Sequence, residues 1–242
     1  MTRILLIVLL AASAVSGCNR GRADESAPRA GWVAGQCVAA SDIAALGGED
    51  SCFVALPIDS TMAAKMVEGG SYPAEGALIS LDELCCIRVL HVNLDRDTLC
   101  GLMICNKAIA ADLLEIFREL YHQSYPIERM VPIDEYGADD ETSMRANNSS
   151  SFCYRAIAGS TKLSNHARGM AVDLNPLYNP YIKISDGKTI LQPSTAGAYI
   201  DRSADFPYKI DEADLAYKLF TSHGFTWGGS WTSLKDYQHF EK

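Results

Sequence analysis

Between residues 106 and 123, apolar side chains fall at Ile109, Leu113, Ile116, Phe117 and Leu120. Steps of three and four place them on one face of a helix. Asn106 offers an N-cap and Pro126 stands just past the end, so the spacing predicts a helix over 106–123. His122 falls in its last turn, where a cation meets the negative end of the helix dipole, and it reads as a helix-end residue rather than a ligand. A second helix is expected over 212–223, with Asp211 as N-cap, Asp214 at the third helical position, and Ile210 and Leu215 as a hydrophobic staple. Gly224 is its expected stop, which puts His223 in a capping turn. Residues 86–94 alternate as a strand, with His91 on the face of Val89 and read as structural. Residues 149–157 and 170–174 read as two more strands around a loop containing Gly and Ser. In the second, Met170, Val172 and Leu174 face the core while Ala171 and Asp173 face the other way.

The ends of the chain change this picture. Met1-Thr2-Arg3, an apolar run over 4–15 and then Ser16-Gly17-Cys18 form a basic segment, a short hydrophobic segment and a small-residue cleavage site. The run is too short for the roughly 20 residues that span a bilayer. Val15-Ser16-Gly17-Cys18 resembles a bacterial lipobox, so Cys18 is expected to carry a lipid and tether an exported protein to the cell envelope. Residues 19–30 are polar and read as a flexible tether. The expected organisation is a signal over 1–18, a tether and N-terminal elaboration over 19–60, and one domain over 61–242, with the motifs in 100–242.

The formal charge is −9, and without residues 1–18, whose only charge is Arg3, 20 basic residues face 30 acidic ones. Nucleic-acid binding rests on Lys and Arg neutralising phosphates, so this balance argues against such a partner. Seven cysteines follow Cys18, and in an exported protein they first suggest disulfides: Cys37 with Cys52, and Cys85 or Cys86 with Cys100 or Cys105. An odd count leaves at least one free thiol. A four-cysteine zinc site lacks the usual paired spacing, and buried unpaired cysteines acting as small apolar residues fit better than that.

The candidate chemistry lies in Ser164-Asn165-His166-Ala167-Arg168-Gly169-Met170-Ala171-Val172-Asp173 and, near the end, Asp236-Tyr237-Gln238-His239. A catalytic zinc site needs three protein ligands of the N/O type and one open position. His166, Asp173 and His239 supply that set, and Asp236 is left to handle protons. His166 and Asp173 are seven residues apart, too far for a helical pair. They converge if His166 lies in the loop and Asp173 on the strand it enters, with Gly169 making the turn.

These segments resemble the zinc D-alanyl-D-alanine carboxypeptidase family, relatives of vancomycin-resistance dipeptidases and of L-alanyl-D-glutamate endolysins. Its Ser-x-His-x-x-Gly-x-Ala-x-Asp pattern is matched over 164–173 without departure, and its acidic residue three before the last histidine is matched by Asp236 and His239. Residues 147–155 resemble the family's stretch carrying an arginine that stabilises the tetrahedral intermediate, which would be Arg155. The resemblance covers roughly residues 100–242. It implies an α+β, hedgehog-like fold whose small central antiparallel sheet, flanked by helices, carries one catalytic Zn2+, with peptidoglycan stem peptides as substrate. Ser164 and Asn165 are expected to brace the loop, and Tyr154, Tyr181, Trp227 and Trp231 are candidates for the cleft wall.

Other readings carry less. Ser185-Asp186-Gly187-Lys188 matches Ser-x-x-Lys, but Ile190 stands where a following Lys-Thr-Gly needs glycine, and Ile182 occupies the first glycine position of a phosphate loop. L-Ala-D-Glu endopeptidase action and a non-catalytic, metal-containing wall-binding lipoprotein remain as alternative functions.

Overall fold

The structure, a computed structural model, describes residues 31–157 and 161–242. The expected signal over 1–18, the lipid-bearing Cys18 and the tether over 19–30 lie outside the described residues. A short helix α1 (Ala40–Ala45), strand β1 (Val54–Pro57) and helix α2 (Ser60–Gly69) lead into the longest strands, β2 (Leu84–Val92) and β3 (Thr98–Asn106). These three strands form an antiparallel sheet in the order β1-β2-β3. The strand predicted over 86–94 begins two residues earlier, because Leu84 and Cys85 are also buried, and ends where Asn93 turns the chain back toward Asp97.

Helix α3 (Lys107–His122) follows with Asn106 as its N-cap, the side chain accepting from Ala108 N. Its apolar stripe, Ile109, Leu113, Ile116, Phe117 and Leu120, is buried in one core with Ile87, Val89 and Met103 of the sheet. Each such side chain contributes about 1.5–3 kcal/mol by leaving water. His122 pairs with Glu49 at 2.6 Å.

The C-terminal half contains many short elements. Helix α4 (Asp140–Arg145) precedes strand β4 (Ala171–Asp173), and β5 (Tyr181–Ser185) and β6 (Lys188–Gln192) form a hairpin. Helix α5 (Leu215–Ser222), β7 (Thr226–Trp227), β8 (Lys235–Asp236) and β9 (His239–Glu241) complete the chain. Two further antiparallel sheets result, β4-β9-β7 and β6-β5-β8. The fold is a mixture of helices with three small antiparallel sheets. Among the described residues no helix is long and apolar enough to cross a membrane.

Three expectations are corrected. Helix α5 starts three residues late, with Asp214 rather than Asp211 as N-cap. Asp214 accepts from Ala216 N and Tyr217 N and from the Tyr125 hydroxyl, while Asp211 closes the preceding turn onto Ala213 N. The segment 149–157 is extended but joins no ladder. Its N–H groups go in turn to Arg129 O, Asp173 O, Ile104 O, His166 O, Ser71 O and Lys162 O, threading it between elements. The seven described cysteines are unbridged thiols, six of them buried as small apolar groups. Cys85 and Cys105 do face each other across β2 and β3, with sulfurs 3.9 Å apart.

Candidate metal centre

The period of two in a strand builds this site. In β4 and β9, Val172 lies opposite Phe240, and Asp173 opposite His239. Val172 and Phe240 point into the core, where Phe240 stacks on Phe220 with ring centroids 4.3 Å apart. The alternate residues, Asp173, His239 and Glu241, therefore face the other side. His166 arrives from the loop before β4, at the start of a single 3-10 turn closed by Gly169 in the left-handed region (φ 66°). A Cβ at Gly169 would also lie 2.6 Å from Asn106 N, so the motif's glycine serves both the turn and the close approach to β3.

His166 Nε2 lies 3.2 Å from Asp173 Oδ2 and 3.2 Å from His239 Nδ1, and His239 Nδ1 lies 3.1 Å from Asp173 Oδ1. One ligand atom from each residue falls within 4.8 Å of the others, and all three residues are buried. The remaining ring nitrogens are tied down: His166 Nδ1 lies 2.7 Å from Ser151 O, and His239 Nε2 lies 3.1 Å from Glu241 Oε2. Glu241 Oε2 in turn accepts from Asn165 Nδ2 at 2.7 Å. Such outer partners fix the tautomer and orientation of a metal-bound histidine. Two imidazoles and a carboxylate converging on one point are a donor set suited to a catalytic zinc ion.

The electrostatics agree with that fit. Burial works against charge on His239, but hydrogen bonds to Asp173 and Glu241 raise its pKa to about 10. Burial likewise opposes ionisation of Asp173, yet His166 and His239 hold it far below the ordinary carboxylate value. A place that holds a carboxylate ionised and binds a proton this firmly favours a cation.

The triad opens onto a cleft of about 510 Å³ that Arg155, Asp236, Gln238 and Trp231 also line. Asp236 stands on β8, opposite Tyr181. Its Oδ1 is shielded from solvent and has no hydrogen-bond partner among the described residues. Burial raises its pKa to about 6, the Asp173 charge acting the same way and the His239 charge against it. Arg155 forms an ion pair with Asp140, the first residue of α4. Ser164 ties the two segments together: its N–H and hydroxyl both donate to Arg155 O, and its Oγ accepts from Ala167 N.

Every site residue named from the sequence thus lies at this cleft. Of the aromatic candidates, Tyr181 and Trp231 line it, with Trp231 5.2 Å from the His239 ring. Trp227 is packed in the core with Nε1 donating to Tyr237 O, and the Tyr154 hydroxyl accepts from Leu78 N instead. Three residues were not foreseen. Glu241 had a readable signal, since a residue two past a strand histidine shares its face. Asp140 had none, because an ion pair across 15 positions leaves no periodicity. Gln238, buried with Nε2 donating to Met144 Sδ at 3.5 Å, had none either.

Residues 158–242 match the sequence model of a family described as D-alanyl-D-alanine carboxypeptidase, which supports the resemblance carried by the motifs. The match spans His166, Asp173, Asp236 and His239, while Arg155, Asp140 and the β1-β2-β3 sheet lie outside it. No solved structure matches the chain.

Proposed function

We propose that this chain is a zinc-dependent peptidase that hydrolyses a peptide bond in peptidoglycan stem peptides, removing a terminal D-alanine. The observation that carries this reading is the convergence of His166, Asp173 and His239 at a cleft where Asp236 presents a partnerless oxygen. The family match over residues 158–242 supports the substrate class, and the order of the motifs along the chain supports a hedgehog-like arrangement.

The three ligands would hold the metal, with Glu241 and Asn165 bracing His239 and Ser151 O bracing His166. A zinc ion there supplies Lewis acidity toward a carbonyl and toward water at neutral pH. Asp236 takes a proton from the attacking water and returns it to the leaving amine, a role suited to a carboxylate whose pKa lies near 6. Arg155 meets the negative charge that develops on the carbonyl oxygen. Trp231 and Leu234 form an apolar part of the wall that limits water around these groups. At the other end of the chain, the run over 4–15 and Cys18 support anchoring in the bacterial envelope, within reach of peptidoglycan.

Asp236→Ala tests the assignment. It is expected to keep one equivalent of zinc while losing about 10²- to 10⁴-fold in turnover. A variant as active as the parent would remove the assigned mechanism.

A further inference from the structure

We infer that Asp140 is a positioning residue for the same reaction: its carboxylate aims the Arg155 guanidinium into the cleft and keeps it away from Asp236. This rests on the reading of the cleft as a peptidase site.

Among the described residues lining the cleft, Arg155 is the one Lys or Arg, and it shares the space with four carboxylates: Asp140, Asp173, Asp236 and Glu241. A guanidinium in this field goes to whichever carboxylate is least engaged. Asp173 is engaged by both histidines, and Glu241 by His239 and Asn165. Asp236, with a shielded and partnerless Oδ1, is the strongest competitor for the arginine. Pairing there would tie up the group that must accept a proton and would pull the cation off the carbonyl oxygen.

The Asp140 carboxylate opposes this by standing beside Arg155 Nε as an ion pair, a charge contact rather than a directed hydrogen bond. Asp140 can hold the arginine firmly because its own backbone is fixed. It begins α4, whose N-cap Asp139 accepts from Thr142 N at 2.8 Å, and Glu141 next to it binds Ser194 N and Oγ at 2.8 and 2.7 Å. Arg155 is fixed from the other side through Ser164. An arginine held at both ends reaches one place in the cleft, which is what recognition of a developing oxyanion requires. Burial disfavours the charged form of Asp140 and raises its pKa, and the Arg155 charge opposes that rise only in part.

The test uses the zinc-loaded protein with Asp140→Asn, Asp140→Glu, Arg155→Ala and the Asp140→Asn/Arg155→Ala double variant, on a D-Ala-D-Ala-terminated stem peptide. Asp140→Asn is expected to lower kcat about 10- to 100-fold with KM little changed, and Asp140→Glu to restore part of it. The double variant should be no slower than Arg155→Ala alone, because the two residues act as one. Affinity for a phosphinate dipeptide, whose anionic oxygens mimic the tetrahedral state, should fall in parallel when read by calorimetry. Unchanged kcat in Asp140→Asn, or additive losses in the double variant, would overturn the inference while leaving the peptidase reading intact. A parent protein that neither cleaves the peptide nor binds the phosphinate would remove the peptidase reading, and the inference with it.

Discussion

Strands β2 and β3 lie side by side for nine residues each and bury His91 between Val89, Gly101 and Met130, whereas β4 and β9 pair over three residues and bury His239 against two carboxylates. His91 Nδ1 donates to Ile127 O, and its Nε2 has no partner among the described residues. Burial pushes its pKa down to about 4. His239 is as deeply buried, yet Asp173 and Glu241 take its pKa to about 10. Burial alone therefore does not decide what an imidazole does. The first region encloses histidine as neutral volume, while the second encloses it with acids and so favours positive charge, whether a proton or a metal ion.

The largest effect should come from breaking the second environment. Asp173→Ala is expected to abolish stoichiometric zinc binding and hydrolysis together, while His91→Leu leaves both intact, as metal analysis and a peptide assay would show. Equal loss of metal in the two variants would erase the distinction.

A smaller effect concerns stability. The folded-state pKa of His91 lies below the ordinary 6.5, so the unfolded chain takes up the extra proton first as pH falls. The stability that His91 permits above pH 6.5 is lost progressively down to pH 4, by about 3 kcal/mol at most. Denaturant melts of the parent and His91→Leu across pH 4–7 measure it, and the variant should lack this part of the slope.

Smaller again is the brace behind His239. Glu241→Gln keeps the shape but removes the charge, and zinc affinity should fall about 10- to 100-fold by competition with a chelating dye. No change would mean that Asn165 and Glu241 serve only to hold the strand.

The same contrast explains what could be read from the sequence. Helix α3 was legible down to its cap because packing an apolar stripe imposes a period, and β2 was legible for the same reason. The segment 149–157 was not, because its backbone N–H groups go to six different residues rather than to one neighbouring strand. The Asp186-Gly187 pair sits inside a Ser-x-x-Lys match but is the two-residue turn of the β5–β6 hairpin, with both residues at positive φ. At the site, His166, Asp173 and His239 could be named because a set of metal ligands needs those residue types, and the structure brings the three together. Asp140 and Gln238 could not, since their partners are chosen only by the packing of distant segments.

The most direct test of the account is titration of chelated residues 31–242 with zinc in the presence of a stem pentapeptide, with products identified by mass spectrometry. The account predicts that D-alanine release rises with added zinc and levels off at one equivalent. Cleavage that ignores both chelation and zinc, or no cleavage at any zinc level, would contradict it.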